Sequence, residues 1–305
     1  MLARLQRGIV ASLLLAALAW AVCAWHAPRP VFWGGLALFA TGHALFLALE
    51  FTLMHAVNRH ADAPRASVGS VARAWLSESL HAPRVFGWRQ PFRAHAWPDQ
   101  LAPTPGAAGV VFVHGFFCNR AFWHPWLQRL ARDGRVYAAV SLEPLFGSIE
   151  AYAATVDAAV RRVHAATGVP VLLVCHSMGG LAVRAWLRQT GADARVAHVV
   201  TIGTPHQGTW LGRYGRTANA RQMRLDSAWL RELAQSESAE RRRRFTGYHS
   251  NADNIVFPTP VATLPDADNR FLPGVAHVAM AFDERVMDET LARLQGGREP
   301  VTGSR

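Results

Sequence analysis

The sequence predicts an α/β fold: a mostly parallel sheet flanked by helices, with a helical cap insertion, preceded by two transmembrane helices. Three observations carry the expectation. Short, solid apolar runs at 109–113, 135–142, 169–175 and 196–203 alternate with helical stretches, the pattern of parallel strands covered on both faces. Ahead of them, Ile9–Trp25 runs for 17 residues without a charge. Val31–Leu49 then runs for 19 without Asp, Glu, Lys or Arg, close to the roughly 20 apolar residues that cross a bilayer as a helix. The chain of 305 residues is 50% hydrophobic, enough for one sizeable core beyond those two segments.

Between the apolar segments lies HAPRP, whose prolines stop one helix and permit another. Residues 1–55 therefore read as a membrane-anchoring hairpin. Trp20, Trp25 and Trp33 cluster near its turn, where interfacial aromatics sit. The alternative for the first segment is a cleaved signal peptide, since Arg4 and Arg7 supply a basic start and small residues lie near Ala19–Ala24. The second segment would hold the chain in the membrane in either case. Basic residues set the orientation. Arg4 and Arg7 precede the hairpin, Arg59, Arg65 and Arg73 follow it, and Arg29 alone lies in the turn. That bias puts both ends and the large domain in the cytoplasm, at a membrane expected to be the bacterial inner membrane. His43 and Glu50, in or at the end of the second segment, read as structural.

Residues 56–105 read as a connector. SVGSVARAWLSESL makes a short helix with Val71, Trp75 and Leu76 on one face. The stretch after it, APRVFGWRQPFRAHAWPDQ, is too rich in Pro and Arg for a long element, and Pro103, Pro105 and Gly106 mark a boundary. The domain at 106–297 opens with the strand at 109–113, the loop HGFFCNRAFW and a helix near Pro125–Asp133. A strand at 135–142 follows. The next helix runs from Ser148, a good N-cap, to Gly168, a good stop, with Ile149, Tyr152, Val156, Val160 and Val163 at helical spacing. Strand 169–175 runs directly into the helix HSMGGLAVRAWLRQTG, and 196–203 is a fourth strand. Residues 205–243 are polar, Arg-rich and helical around Ala218–Gln235; their position reads as a cap over the site. A strand-like RFTGYHS (244–250), a short run near Val261–Leu264 and a last helix around Glu284–Leu294 complete the domain, and 298–305 is a tail.

The chemistry centres on CHSMGG at 175–180. Ser177 sits where a parallel strand ends and a helix begins, the context of a nucleophile elbow. The residues two before and two after the serine must be small; Gly179 satisfies the later position, and Cys175 stands where glycine is usual. A serine needs a base, and the base an orienting acid. In the order Ser, Asp, His the chain offers Asp253 in SNADNIVFP and His277 in GVAHVAM. His206 and His249 lie out of order as bases, and Asp266, Asp268 and Asp283 compete as the acid. Two donors for an oxyanion are also needed. Gly115, in VFVHGFFCN, lets the loop bend towards the serine, so the Phe116 and Met178 backbone N–H groups are the candidates. His114 reads as a structural residue of that loop. Cys175, two residues before the serine, points into the core, where a thiol is inert.

Residues from about 108 to 296 resemble the α/β-hydrolases, most of all their bacterial lipase and esterase branch. VFVHGFFCN resembles the oxyanion segment of that branch, CHSMGG its elbow, VVTIGTPHQGT the segment after the following strand, and SNADNIVFP and GVAHVAM its acid and base loops. The resemblance implies a serine hydrolase that cleaves carboxylic esters through Ser177, Asp253 and His277, with the Phe116 and Met178 amides as oxyanion hole. It implies neither cofactor nor metal. The hairpin and the apolar Phe116-Phe117, Phe122-Trp123 and Trp126 point to a lipidic acyl ester as substrate and the membrane as partner. An acyltransferase or thioesterase would use the same triad, and a non-catalytic membrane interaction protein is the alternative of another class. Net charge is +11 without one Lys, and the dense run RRRR at 241–244 reads as the solvated end of a helix; no nucleic-acid motif accompanies it. Oligomeric state stays open.

Overall fold

A computed structural model describes residues 1–294; the expected tail at 298–305 and the last three residues of the domain at 106–297 lie outside them. Helix α1 (Leu2–Cys23) and helix α2 (Arg29–Asn58) meet at the HAPRP turn, and both are long and apolar enough to cross a membrane. Pro28 and Pro30 flank the start of α2, where a missing N–H removes no helical bond. Along their middles the large apolar side chains stay exposed, among them Leu14, Leu15, Leu18, Leu45, Phe46 and Leu49. Burial begins only at the two roots. Gln6 is buried on α1, and Phe51, Met54 and Asn58 are buried on α2.

The connector is more ordered than its composition suggests. Helix α3 (Val68–Ala82) is capped by Ser67, whose side chain accepts from the Ser70 N–H. It does not stop at the Pro-rich stretch expected to be irregular. It passes through a π-helical turn (Pro83–Arg89) into the short α4 (Gln90–Phe92). Proline removes a donor and crowds the carbonyl four residues back, and a wide turn absorbs both. That carbonyl, Ser79 O, accepts instead from His43 Nε2 of α2 at 3.0 Å, which gives His43 the structural role its sequence position suggested. The inward face of α3 is Ala74 and Glu78, whereas Leu76 is exposed.

Six parallel strands follow: β1 (Val110–Val113), β2 (Tyr137–Ala139), β3 (Val171–His176), β4 (Val196–Ile202), β5 (Phe245–His249) and β6 (Asp268–Phe271), in the order β2-β1-β3-β4-β5-β6. Alternation decides which face each side chain joins. Val111, Val113, Leu173 and Cys175 face α6 (Ala153–Thr167) and α7 (Met178–Thr190). Val110, Phe112, Leu172 and Val174 face the other way, in one cluster with Trp126 and Leu127 of α5 (His124–Arg132) and Val286 of α12 (Glu284–Ala292). The expected stripe Ile149, Tyr152, Val156, Val160 and Val163 is wholly buried. Each such side chain contributes about 1.5–3 kcal/mol relative to exposure. Ser148 caps a 3-10 turn (Ile149–Tyr152) that leads into α6, and Gly168 ends α6 at φ 72°, a left-handed conformation that suits glycine.

Two expectations need correction. The last strand is β6 at Asp268–Phe271; the run near Val261–Leu264 instead ends a 3-10 turn, Thr259–Ala262, opened by two prolines. The helix expected around Ala218–Gln235 is two helices, α8 (Ala218–Gln222) and α9 (Ala228–Gln235). Asp226 takes φ 49° between them, and Ser227 caps the second by accepting from the Leu230 N–H. Arg241–Arg244 lie in and just after α10 (Ala239–Arg243), where Arg241 pairs with Asp193, Arg242 with Asp266 and Arg244 with Glu240.

Candidate active site

In a parallel sheet, every loop after a strand emerges at the same edge. Gly115 follows β1, Ser177 follows β3, Gly203 follows β4, Asp253 follows β5 and His277 follows β6. The topology thus collects residues that are up to 162 positions apart (115 to 277) at one edge of the sheet.

Ser177 sits at φ 54°, ψ −129°, a conformation that costs a non-glycine residue about 1–3 kcal/mol. The surroundings hold it there. Its N–H donates to Ile202 O at 2.9 Å, and its carbonyl accepts from Thr204 Oγ1 at 2.9 Å and Gly180 N at 3.1 Å. Small neighbours are a steric necessity. A Cβ on Gly179 would lie 2.2 Å from Val113 O, and one on Gly180 2.4 Å from Thr204 Oγ1. Cys175 meets no such wall because its side chain joins the core below the turn, where burial pushes its thiol pKa far up. Cys118 is buried too, with its pKa pushed up to about 12. Neither thiol offers a thiolate.

Asp253 and His277 are joined. His277 Nδ1 donates to Asp253 Oδ2 at 2.9 Å, both groups buried. The other oxygen, Oδ1, accepts from Ile255 N at 2.9 Å and Val256 N at 2.8 Å, which locks the carboxylate. His277 opens the single turn α11 (His277–Met280). Burial pushes its imidazolium pKa down, but the charge and hydrogen bond of Asp253, with Glu78 and Glu50 beyond, more than offset that and raise it. Gly203, at φ 57°, floors the pair; a Cβ there would come within 3.0 Å of both Asp253 Oδ2 and His277 Nδ1. Its neighbour Ile202 is the residue that holds the Ser177 N–H. His176 lies with its ring 4.6 Å from that of His277 and donates from Nε2 to His277 O at 3.2 Å.

The loop after β1 touches the serine. A Cβ on Gly115 would meet Ser177 Cβ at 2.7 Å and Oγ at 3.3 Å, so only glycine lets the backbone come this close. His114 fixes the loop. Its Nε2 accepts from Leu142 N at 3.0 Å, so the proton is on Nδ1, which donates to Gly115 O at 2.9 Å. Burial pushes its pKa down to about 4, which keeps it neutral. Gly115 O is thereby turned towards the histidine, and the Phe116 N–H of the same peptide unit faces away from it. Met178 is the first residue of α7, so its N–H belongs to the open end of a helix.

The rival residues are engaged elsewhere. His206 lies buried between Arg184 and Thr201, and His249 packs on Phe271. Asp266 pairs with Arg242, Asp268 with Arg270, and Asp283 caps α12 beside Arg285. Sequence reasoning missed three groups that hold the His277 turn: Asn254, Glu50 and Glu78. Asn254 Oδ1 accepts from His277 N at 3.3 Å, and Asn254 Nδ2 donates to Glu50 Oε2 at 2.8 Å. Glu78 accepts from Val278 N and Ala279 N. Only the buried-side position of Glu78 on an otherwise apolar helix face hinted at this.

Residues 110–302 match the profile of the Alpha/beta hydrolase family. Among solved structures, the lipase BlEst2 of Bacillus licheniformis in its mature form is 18% identical, with a TM-score of 0.55 over 63% of this chain and 94% of that one. Lipase B of Aspergillus fumigatus is 17% identical, also at 0.55, over 62% of this chain and 53% of that one. At such identities the likeness is one of fold. No curated protein sequence matches. The family profile spans more than half of the chain and begins at β1, after the two N-terminal apolar helices and the segment that follows them, so the chain belongs to the alpha/beta hydrolase family and is a hydrolase.

Proposed function

We propose that this hydrolase is a membrane-anchored serine esterase acting on lipidic acyl esters. The observation that carries the reading is the hydrogen-bonded Asp253–His277 pair, which emerges at the same edge of the sheet as a serine held in a strained elbow. His277 takes the Ser177 proton as Oγ attacks the ester carbonyl. The Phe116 and Met178 N–H groups hold the oxyanion. The tetrahedral adduct collapses, the alcohol leaves with the proton from His277, and an acyl-enzyme remains. Water, deprotonated by the same imidazole, then attacks the acyl carbon, and the acid departs as His277 returns that proton to Ser177 Oγ. Asp253 keeps the imidazole in the tautomer with Nδ1 protonated and stabilises its charged form.

The apolar girdles of α1 and α2 support the anchor, since side chains such as Leu14 at 66% and Leu45 at 61% exposure have no protein partner to bury them. Phe116, 36% exposed and packed at a tilt with its ring 5.9 Å from that of Phe146, supports an apolar substrate at the mouth of the site. Residues 205–243 serve as the cap, tied down by the buried Arg184–Glu237 pair. The arginine bias of the flanks supports a cytoplasmic catalytic domain. Reporter fusions after Arg65 test that: a cytoplasmic signal is expected, and a periplasmic one overturns it.

A fluorophosphonate probe with peptide mapping tests the nucleophile; the label is expected on Ser177, and hydrolysis of an ester panel is expected to favour longer acyl chains. The base predicts the pH profile. His277 accepts a proton only when neutral, and its raised pKa delays deprotonation. The acid limb of kcat/KM is therefore expected above the ordinary histidine value of about 6.5. A limb at or below that value contradicts the assignment.

A further inference from the structure

The region before the family match reaches into the catalytic centre. Glu78, on α3 of the connector, is 2% exposed. Its Oε1 accepts from Val278 N at 2.9 Å and its Oε2 from Ala279 N at 3.1 Å. Together with Asn254, which takes the His277 N–H, it satisfies the first three N–H groups of α11. A turn of this kind is ordinarily capped by the side chain just before it. Here that residue is Ala276, which makes no side-chain cap bond, and the cap comes from 200 residues away. A buried carboxylate is costly unless it is hydrogen-bonded throughout, and this one spends both oxygens on the turn that carries the base.

We propose that Glu78 is a positioning residue for His277: a side chain of the connector helix that fixes the turn on which the imidazole stands. This rests on the reading of His277 as the general base. A second link runs in parallel, from Glu50 at the root of α2 through Asn254 to the His277 N–H. The connector helix is itself held to α2 by the His43–Ser79 bond. The hairpin and connector are thus part of the active-site scaffold.

The titratable groups around the imidazole are Asp253 after β5, Glu50 on α2, Glu78 on α3 and His176 at the end of β3, the last kept neutral by burial. Burial raises the Glu78 pKa to about 7, partly countered by the Val278 N–H and by the charge of His277. Removing a negative neighbour lowers the pKa of a histidine.

The test uses the full-length chain in detergent micelles, comparing wild type with Glu78→Gln, Glu78→Asp and Glu50→Gln. Kinetics on a p-nitrophenyl ester are read across pH. The His277 imidazole is titrated by NMR on 13C-histidine-labelled protein, with His277→Gln assigning its signal. Glu78→Gln keeps one acceptor and loses the charge. It is expected to lower kcat about tenfold with KM nearly unchanged, since small misplacements of a reacting group carry losses of up to about a hundredfold. The acid limb and the His277 titration should both move to lower pH, and Glu78→Asp should restore part of the kcat. Glu50→Gln keeps its acceptor for Asn254 and should produce a smaller shift in the same direction. It supplies the readout if Glu78→Gln fails to fold. Wild-type kcat and an unmoved His277 titration in Glu78→Gln, or an unmoved titration in Glu50→Gln where only that variant folds, overturn the proposal. A wild type that titrates as expected yet cleaves no ester counts against the esterase reading and leaves the positional one standing.

Discussion

Ser177→Ala is expected to lower ester hydrolysis about a thousandfold or more and to abolish fluorophosphonate labelling. The substitution removes only Oγ. Every bond that holds the elbow is made by the backbone of residue 177 or by its neighbours: the N–H to Ile202, the carbonyl to Thr204 and Gly180. Alanine is no worse than serine at φ 54°, because both carry a Cβ there. Folding should therefore be within about 1 kcal/mol of wild type, as for substitutions that break no packing or hydrogen bond. What is lost is the covalent route, and the residual rate reports binding and oxyanion stabilisation alone. Steady-state kinetics with intact-protein mass spectrometry check both halves. Label that persists on the alanine variant would show that another residue is the nucleophile.

Gly179→Ala should be the more damaging change to the molecule as a whole. The added methyl would sit 2.2 Å from Val113 O and 2.7 Å from His114 O. Both are backbone atoms of β1 and its loop, so no rotamer change relieves them. Either α7 must lift from the sheet or the loop carrying Gly115 must move, and each motion separates Ser177 from the Phe116 N–H, one of the two donors proposed for the oxyanion. Overpacking of a rigid core costs about 1–3 kcal/mol, occasionally more. Here loss of the crevice geometry comes on top, so activity should fall even in the fraction that folds. Thermal unfolding monitored alongside kcat separates the two effects. A variant with wild-type melting and wild-type kcat would mean that the strand and helix have more room than their contact distances allow.

How much of this could be read from the chain depended on the range of the interaction. Strand and helix identities rest on local pattern: solid runs such as VLLVC and the spaced stripe of Val156, Val160 and Val163 require nothing but their own sequence. The pairing of Asp253 with His277, 24 positions apart, was legible because two loops after successive strands must share an edge. Strand β6, DNRF, was not, since it is an exposed edge strand with only Phe271 strongly apolar and pairs on one side only. The run near Val261–Leu264 looked better by composition, yet its prolines suit a turn. Least visible of all were Glu78 and Gln90. Glu78 lies on the short connector helix and Gln90 in the Pro- and Arg-rich stretch after it, and the partners of both lie elsewhere in the chain, Glu78 at Val278 and Gln90 at Asn119. Beyond the helical spacing that puts Glu78 on the face of Val71 and Trp75, nothing in the local sequence marks a carboxylate or an amide as buried when its burial is decided by a distant loop.

The two-rooted hairpin has a consequence for the order of assembly. Residues 50–92 are made roughly 200 positions before the loops they brace, and chains fold from the N-terminal side as they emerge. On the anchored reading the brace is thus in place, with the hairpin already in the lipid, before the turn bearing His277 exists. On that reading, the last step of maturation is the docking of that turn onto a preinstalled support. A chain that missed its membrane would then carry every reactive side chain and still lack the mould in which they set, so hydrolytic capacity would arise only at the bilayer.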